Sequence, residues 1–126
     1  MSDDSSRFTL GRLLFGLGVA LQAAEDFRDM EDAIEYADSA GVPAPDLLAP
    51  LASGMMLVGG LGTAFWRFPR VSTGAVATFL AVVTPTMHDF WNADPDDQSG
   101  ERLAFFGNLA MFGGAIAFLR EAYSGD

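Results

Sequence analysis

LLAPLASGMMLVGGLGTAFW, residues 47–66, is a run of twenty residues without a single charge. A helix needs ~20 residues to cross a bilayer, within a range of roughly 17–25. A helix this apolar could instead fill the interior of a soluble bundle, but such helices keep polar residues on one face at the helical period. Residues 47–66 are apolar or small all the way round. The run therefore reads as a membrane span, bounded by Asp46 and Arg67.

Three further runs follow the same pattern. Val71 to Met87 and Leu103 to Leu119 each hold seventeen uncharged residues. Leu13 to Ala24 holds only twelve, but Phe8 to Gly11 extends it beyond Arg12. A long Arg near a helix end can snorkel to the headgroups, which brings this run into range. The expected spans are 8–26, 47–66, 71–88 and 103–120, in a single domain covering 1–126. The expected fold is all-α, an integral membrane four-helix bundle. Small residues recur four apart, at Gly16, Ala20 and Ala24, at Gly60 and Ala64, at Gly74 and Thr78, and at Ala110 and Gly114. In lipid such steps let helix backbones approach closely. Pro85 is expected to kink the third long helix or begin its unravelling. The "MSDDSS" start is acidic and lacks the basic segment of a signal peptide, so the first helix is expected to be retained.

Composition narrows the function classes. The formal net charge is −10, and every basic residue is Arg. Many carboxylates with no Lys suggest a protein that works in high salt, where screening makes self-repulsion tolerable. Nucleic acid is not an expected partner, because phosphate binding needs clustered cations. With no Cys, the chain has no disulfide, thiolate zinc site or iron–sulfur cluster of its own. A single His, His88, excludes two-histidine haem ligation within one chain.

Four spans put both termini on one side with the middle loop. That side carries Arg7, Arg12, Arg67, Arg70 and Arg120, five of the seven Arg, so both termini are expected to be cytoplasmic. Thirteen of the seventeen acids fall on the two outer loops; Asp3, Asp4, Glu121 and Asp126 are the inner ones. In the first outer loop Phe27, Met30, Ile34 and Ala37 are spaced to share one helical face, with Gly41 as a stop and Pro43 and Pro45 beyond it. This predicts a short amphipathic helix capping the outer mouth of the bundle. In the second outer loop Phe90 and Trp91 fit an interfacial aromatic belt, and "NADPDD" reads as a solvated turn with Pro95 as a breaker.

"GRLLFGLGVALQ", "YADSAGVPAP", "HDFW" and "NLAMFGGA" occur in that order and together resemble the DoxX family of small four-helix membrane proteins, in the form seen in salt-loving archaea. The resemblance covers roughly Leu10 to Leu119. It implies association with a membrane thiosulfate:quinone oxidoreductase or with complexes of oxidative stress. The chain departs from the family at "LQAAEDF", where relatives often carry a Lys or His, so a role resting on that cation is not expected here.

Polar groups within or at the ends of spans are costly and often functional. Gln22 and Glu25 close the first helix, His88, Asp89 and Trp91 close the third, and Asn108 lies near the start of the fourth. All fall in the outer half. They are the candidate lining of an outward-facing polar pocket under the cap, able to hydrogen-bond a quinone. Each also has a plainer role: Gln22 and Asn108 as hydrogen bonds between helices, His88 as a local cap, Trp91 as a belt residue. No catalytic constellation is complete, and no metal site is expected. "DPDDQSGE" lacks the ligand spacing of a calcium loop. Three functions fit: a cofactor-poor subunit of a quinone-linked oxidoreductase complex, a scaffolding membrane protein that recruits partners through its acidic outer face, and a small transporter. The expected partners are the lipid bilayer, redox-complex subunits and a second copy of the chain.

Overall fold

The computed structural model describes residues 3–124. Met1, Ser2, Gly125, Asp126 and the side chains of Asp3 and Asp4 lie outside the description, and with them most of the "MSDDSS" segment and three of the four inner acids. The described residues form five α-helices: α1 (Asp3–Arg28), α2 (Met30–Ser39), α3 (Pro45–Phe65), α4 (Pro69–Met87) and α5 (Pro95–Ser124), with one 3-10 turn at Phe90–Asn92. No strand occurs among them. Helices α3, α4 with the turn after it, and α5 are long and apolar enough to cross a membrane.

The helices pack in the order α1, α3, α4, α5, and α2 lies chiefly on α3. The tightest seam joins α1 to α3. A Cβ added at Gly16 would meet Ala64 N and Gly60 O at 2.5 Å, and one at Gly60 would meet Ala20 N and Gly16 O at 2.8 Å. The four-apart steps of the two helices thus face each other, and only Gly permits that approach. Gly59 and Gly62 seat the α3–α4 seam against Val76 and Ser72 in the same way. The core is built from small side chains: Ala20, Ala23, Ala64, Ala77 and Ala115 are buried, and Leu80 is the largest fully buried residue. Two buried hydroxyls bond backward to their own helix, Thr63 to Gly59 O at 2.8 Å and Thr73 to Pro69 O at 2.6 Å. Large apolar side chains point outward instead. Leu14 is 68% exposed, Val58 68% and Leu103 74%.

The helix ends that share a side with the termini, here the terminal end, are fastened by arginines. Arg12 Nε donates to Ala64 O at 3.2 Å while its guanidinium lies over Phe8 and Trp66. Arg70 Nε donates to Ala122 O at 3.3 Å and lies over Tyr123. In both cases a cation meets the carbonyl end of a neighbouring helix, where the backbone dipole favours it, and both pairs are 52 residues apart. Arg12 is therefore tied within the bundle and does not reach freely for a headgroup.

Two local expectations change. Phe27 belongs to the end of α1 and is exposed, so the apolar face of α2 starts at Met30 and has Ala37 as its buried residue. Asp29 caps α2 by accepting from Asp32 N at 3.2 Å. Pro95 does not break a helix; it opens α5, where its missing N–H costs nothing. Pro85 lies inside the last turn of α4, which ends at Met87.

Replacing Gly60 with Leu drives two backbones apart. The expected cost is about 3 kcal/mol, read as a lower thermal midpoint in detergent. Gly18→Ala, inside α1 at a site with nothing within 4 Å, does not lower the midpoint.

Candidate functional site

At the opposite end, here the cap end, one polar cluster joins three elements. The Tyr36 hydroxyl on α2 donates to Glu101 Oε1 on α5. Met87 O lies 3.1 Å from the same hydroxyl and His88 Nδ1 lies 3.4 Å away. His88 Nδ1 is 2.9 Å from Glu101 Oε2. A carboxylate only accepts, so Nδ1 carries the hydrogen of that bond, and in the neutral imidazole the Nε2 lone pair is left as an acceptor. Among the described residues Nε2 makes no hydrogen bond. The cluster clasps the cap helix to the ends of α4 and α5. The pKa of Tyr36 is pushed well above the usual phenol range, first by burial, then by its hydrogen bond to Glu101, then by the negative charges of Glu101, Asp89 and Asp97.

Beneath this clasp lies a cavity of about 820 Å³, within the range of small-molecule sites. α1, α2, α3 and α4 wall it, and Asn108 reaches it from α5. Of the six candidates read from the sequence, Gln22, Glu25, His88 and Asn108 line it. Asp89 and Trp91 do not. Asp89 Oδ2 accepts from Asn92 Nδ2 at 3.1 Å, and Trp91 packs on Phe90 and Phe105 with centroids at 5.3 and 5.7 Å. Gln22 and Asn108 make no side-chain hydrogen bond among the described residues, so neither serves as a bond between helices. Glu101 lies seven residues before Asn108, which puts the amide about 10 Å deeper along α5 at 1.5 Å per residue.

The mouth of the cavity is acidic. Glu25, Asp26, Asp29 and Asp32 line it. Asp26 Oδ2 accepts from buried Ser53 Oγ at 2.8 Å and so ties α1 to α3 beside the opening. Glu25 pairs at 3.1 Å with exposed Arg28, a weak surface bond. Deeper walls are apolar, with Ala23, Met56, Phe79 and Val83 among them. No group of three or more His, Asp or Glu among the described residues is placed to hold a metal ion. The arrangement offers a binding volume with two free amides and one free imidazole nitrogen.

Sequence reading missed Tyr36 and Glu101. Tyr36 stands in "YADSAGVPAP", a stretch singled out for its resemblance, so a signal existed for it. Glu101 is one acid among many, and its partners are 13 and 65 residues away.

The DoxX family profile matches residues 8–89, well over half of the chain. The protein therefore belongs to the DoxX family and, with its three membrane-length apolar helices, is a membrane protein. The match runs through α1 to α4 and stops before α5, so "NLAMFGGA" lies beyond it. No curated protein and no solved structure matches the chain.

The raised Tyr36 pKa fixes a pH dependence. Its folded value lies above the unfolded value of ~10, so its contribution to stability is complete below pH ~10 and is lost as pH rises through the folded value. In alkaline difference spectra of wild type against Tyr36→Phe, the phenol of Tyr36 should ionise only above the ordinary tyrosine range. Ionisation near pH ~10 would mean that the clasp is not formed.

Proposed function

We propose that this DoxX protein is a four-span membrane subunit that holds a quinone-class molecule for a redox partner chain. The observation that carries the reading is the convergence of Gln22, His88 and Asn108 on one cavity. Amide N–H groups of Asn108 and Gln22 suit the carbonyl oxygens of a quinone. The free Nε2 of His88 is an acceptor and suits a quinol hydroxyl instead. The same cavity accommodates both redox states of such a ligand. The electrons come from a partner subunit.

Counting α1 as the fourth span is supported by Leu10, Leu14, Leu17 and Leu21. They are spaced four, three and four apart and all are exposed, as a lipid-facing stripe would be. The Arg excess at the terminal end supports cytoplasmic termini, with α2, the clasp and the cavity mouth outside. The acidic outer face without Lys supports a home in strong brine. A scaffolding role has its own support in Glu31, Glu35 and Asp38, which are exposed on α2 and would suit a partner with a basic surface.

Purification from native membranes in mild detergent at high salt should yield protein with bound quinone. Asn108→Leu and Gln22→Leu should each weaken rebinding roughly 3- to 10-fold, the worth of one hydrogen bond. No quinone at any stage, with partner proteins still attached, would favour the scaffold.

A further inference from the structure

Some of the apolar residues that line the cavity are exposed on the flanks of α3 and α4. α3 and α4 touch closely toward the terminal end, where a Cβ at Gly59 would meet Ser72 O and Val76 at 3.0 Å. Toward the cap end they line the cavity from opposite sides, with Leu51 and Met55 on α3 and Val82 on α4. Leu51 is 64% exposed, Met55 37% and Val82 59%. Side chains that line a cavity and remain exposed mark the place where it opens. All three are apolar, and they sit on the flank of helices long enough to cross a membrane. In a bilayer such a flank faces hydrocarbon.

The two openings differ in charge. The cap-end mouth is ringed by Glu25, Asp26, Asp29 and Asp32, and the nearby cation, Arg28, leans on Glu25 and does not line the cavity. Carboxylates at the edge of a low-dielectric cavity repel an anionic head and tolerate a neutral one. The gap between α3 and α4 carries no charge at all.

We propose that the α3–α4 gap is a tail-binding subsite, through which the cavity is loaded from the outer leaflet with an amphiphile that has an uncharged head and a long apolar tail. The proposal rests on the quinone-class reading of the cavity and adds to it a route and a selectivity. The head sits beside Asn108 and Gln22, and the tail leaves between Met55 and Val82 into lipid. The ligand never crosses the outer aqueous phase, so α2 can remain clasped while the site exchanges. Lipids with anionic heads are turned away by the four carboxylates.

The test uses the full chain in nanodiscs of neutral lipid and two probes with the same naphthoquinone head, menaquinone with its isoprenoid tail and menadione without it. Filling the gap with Met55→Trp and Val82→Trp together should weaken or slow menaquinone binding at least about tenfold, or about 1.4 kcal/mol, and leave menadione binding unchanged. Equal menaquinone binding by wild type and the double variant, with menadione still bound, overturns the tail subsite alone. Failure of wild type to bind either probe overturns the quinone-class reading, and the subsite with it. If the double variant loses menadione as well, Val82→Ala decides: widening the gap should speed menaquinone uptake, and an unchanged rate overturns the proposal.

Discussion

Leu14, Val58 and Leu103 stand outside the helices, while Gly, Ala, Ser, Thr and Val fill the space between them. In water that arrangement would leave a large apolar surface wet, at about 25 cal/mol for each Å². In a bilayer it carries no such cost, because hydrocarbon solvates Leu as well as another Leu does. The same environment removes the hydrophobic drive for helices to meet. Association must come from close packing and from hydrogen bonds that have no water to compete with. The contact between Gly16 and Gly60 is the sharpest expression of that requirement.

A bundle held this way is tight where small residues meet and open where they do not. α1 and α3 are joined along Gly16, Ala20, Gly60 and Ala64, and α3 and α4 along Gly59, Gly62, Ser72 and Val76, all toward the terminal end or the middle. Arg12 and Arg70 bind the terminal end further. Toward the cap end α3 and α4 present Leu51, Met55, Val82 and Phe79 to the cavity. Tyr36, His88 and Glu101 close that end by hydrogen bonding. The site exists because the two ends of one bundle are held by different means.

The long helices were legible in the sequence because charge is excluded from a span and returns at its ends. The amphipathic cap was legible from the spacing of Met30, Ile34 and Ala37, and the stop at Gly41 fits its φ of 85°. Gln22, His88 and Asn108 could be singled out one at a time, since a polar group in an apolar run is costly wherever it points. What they share could not be read. Whether Asn108 bonds a neighbouring helix or faces a void depends on rotation and tilt, which no local pattern encodes. The clasp was out of reach for the same reason: Glu101 resembles its acidic neighbours until folding sets it beside Tyr36 and His88. Pro95 was misread because Pro ends one element as readily as it begins the next.

The chain contains no Cys, so single cysteines can report where water reaches. In intact membranes Leu14→Cys, Val58→Cys and Leu109→Cys, all on outward-facing positions, should resist a water-soluble maleimide. Glu31→Cys on the exposed face of α2 should react at once. Reaction at Leu14, Val58 and Leu109 as fast as at Glu31 would mean that water, and not lipid, surrounds these helices.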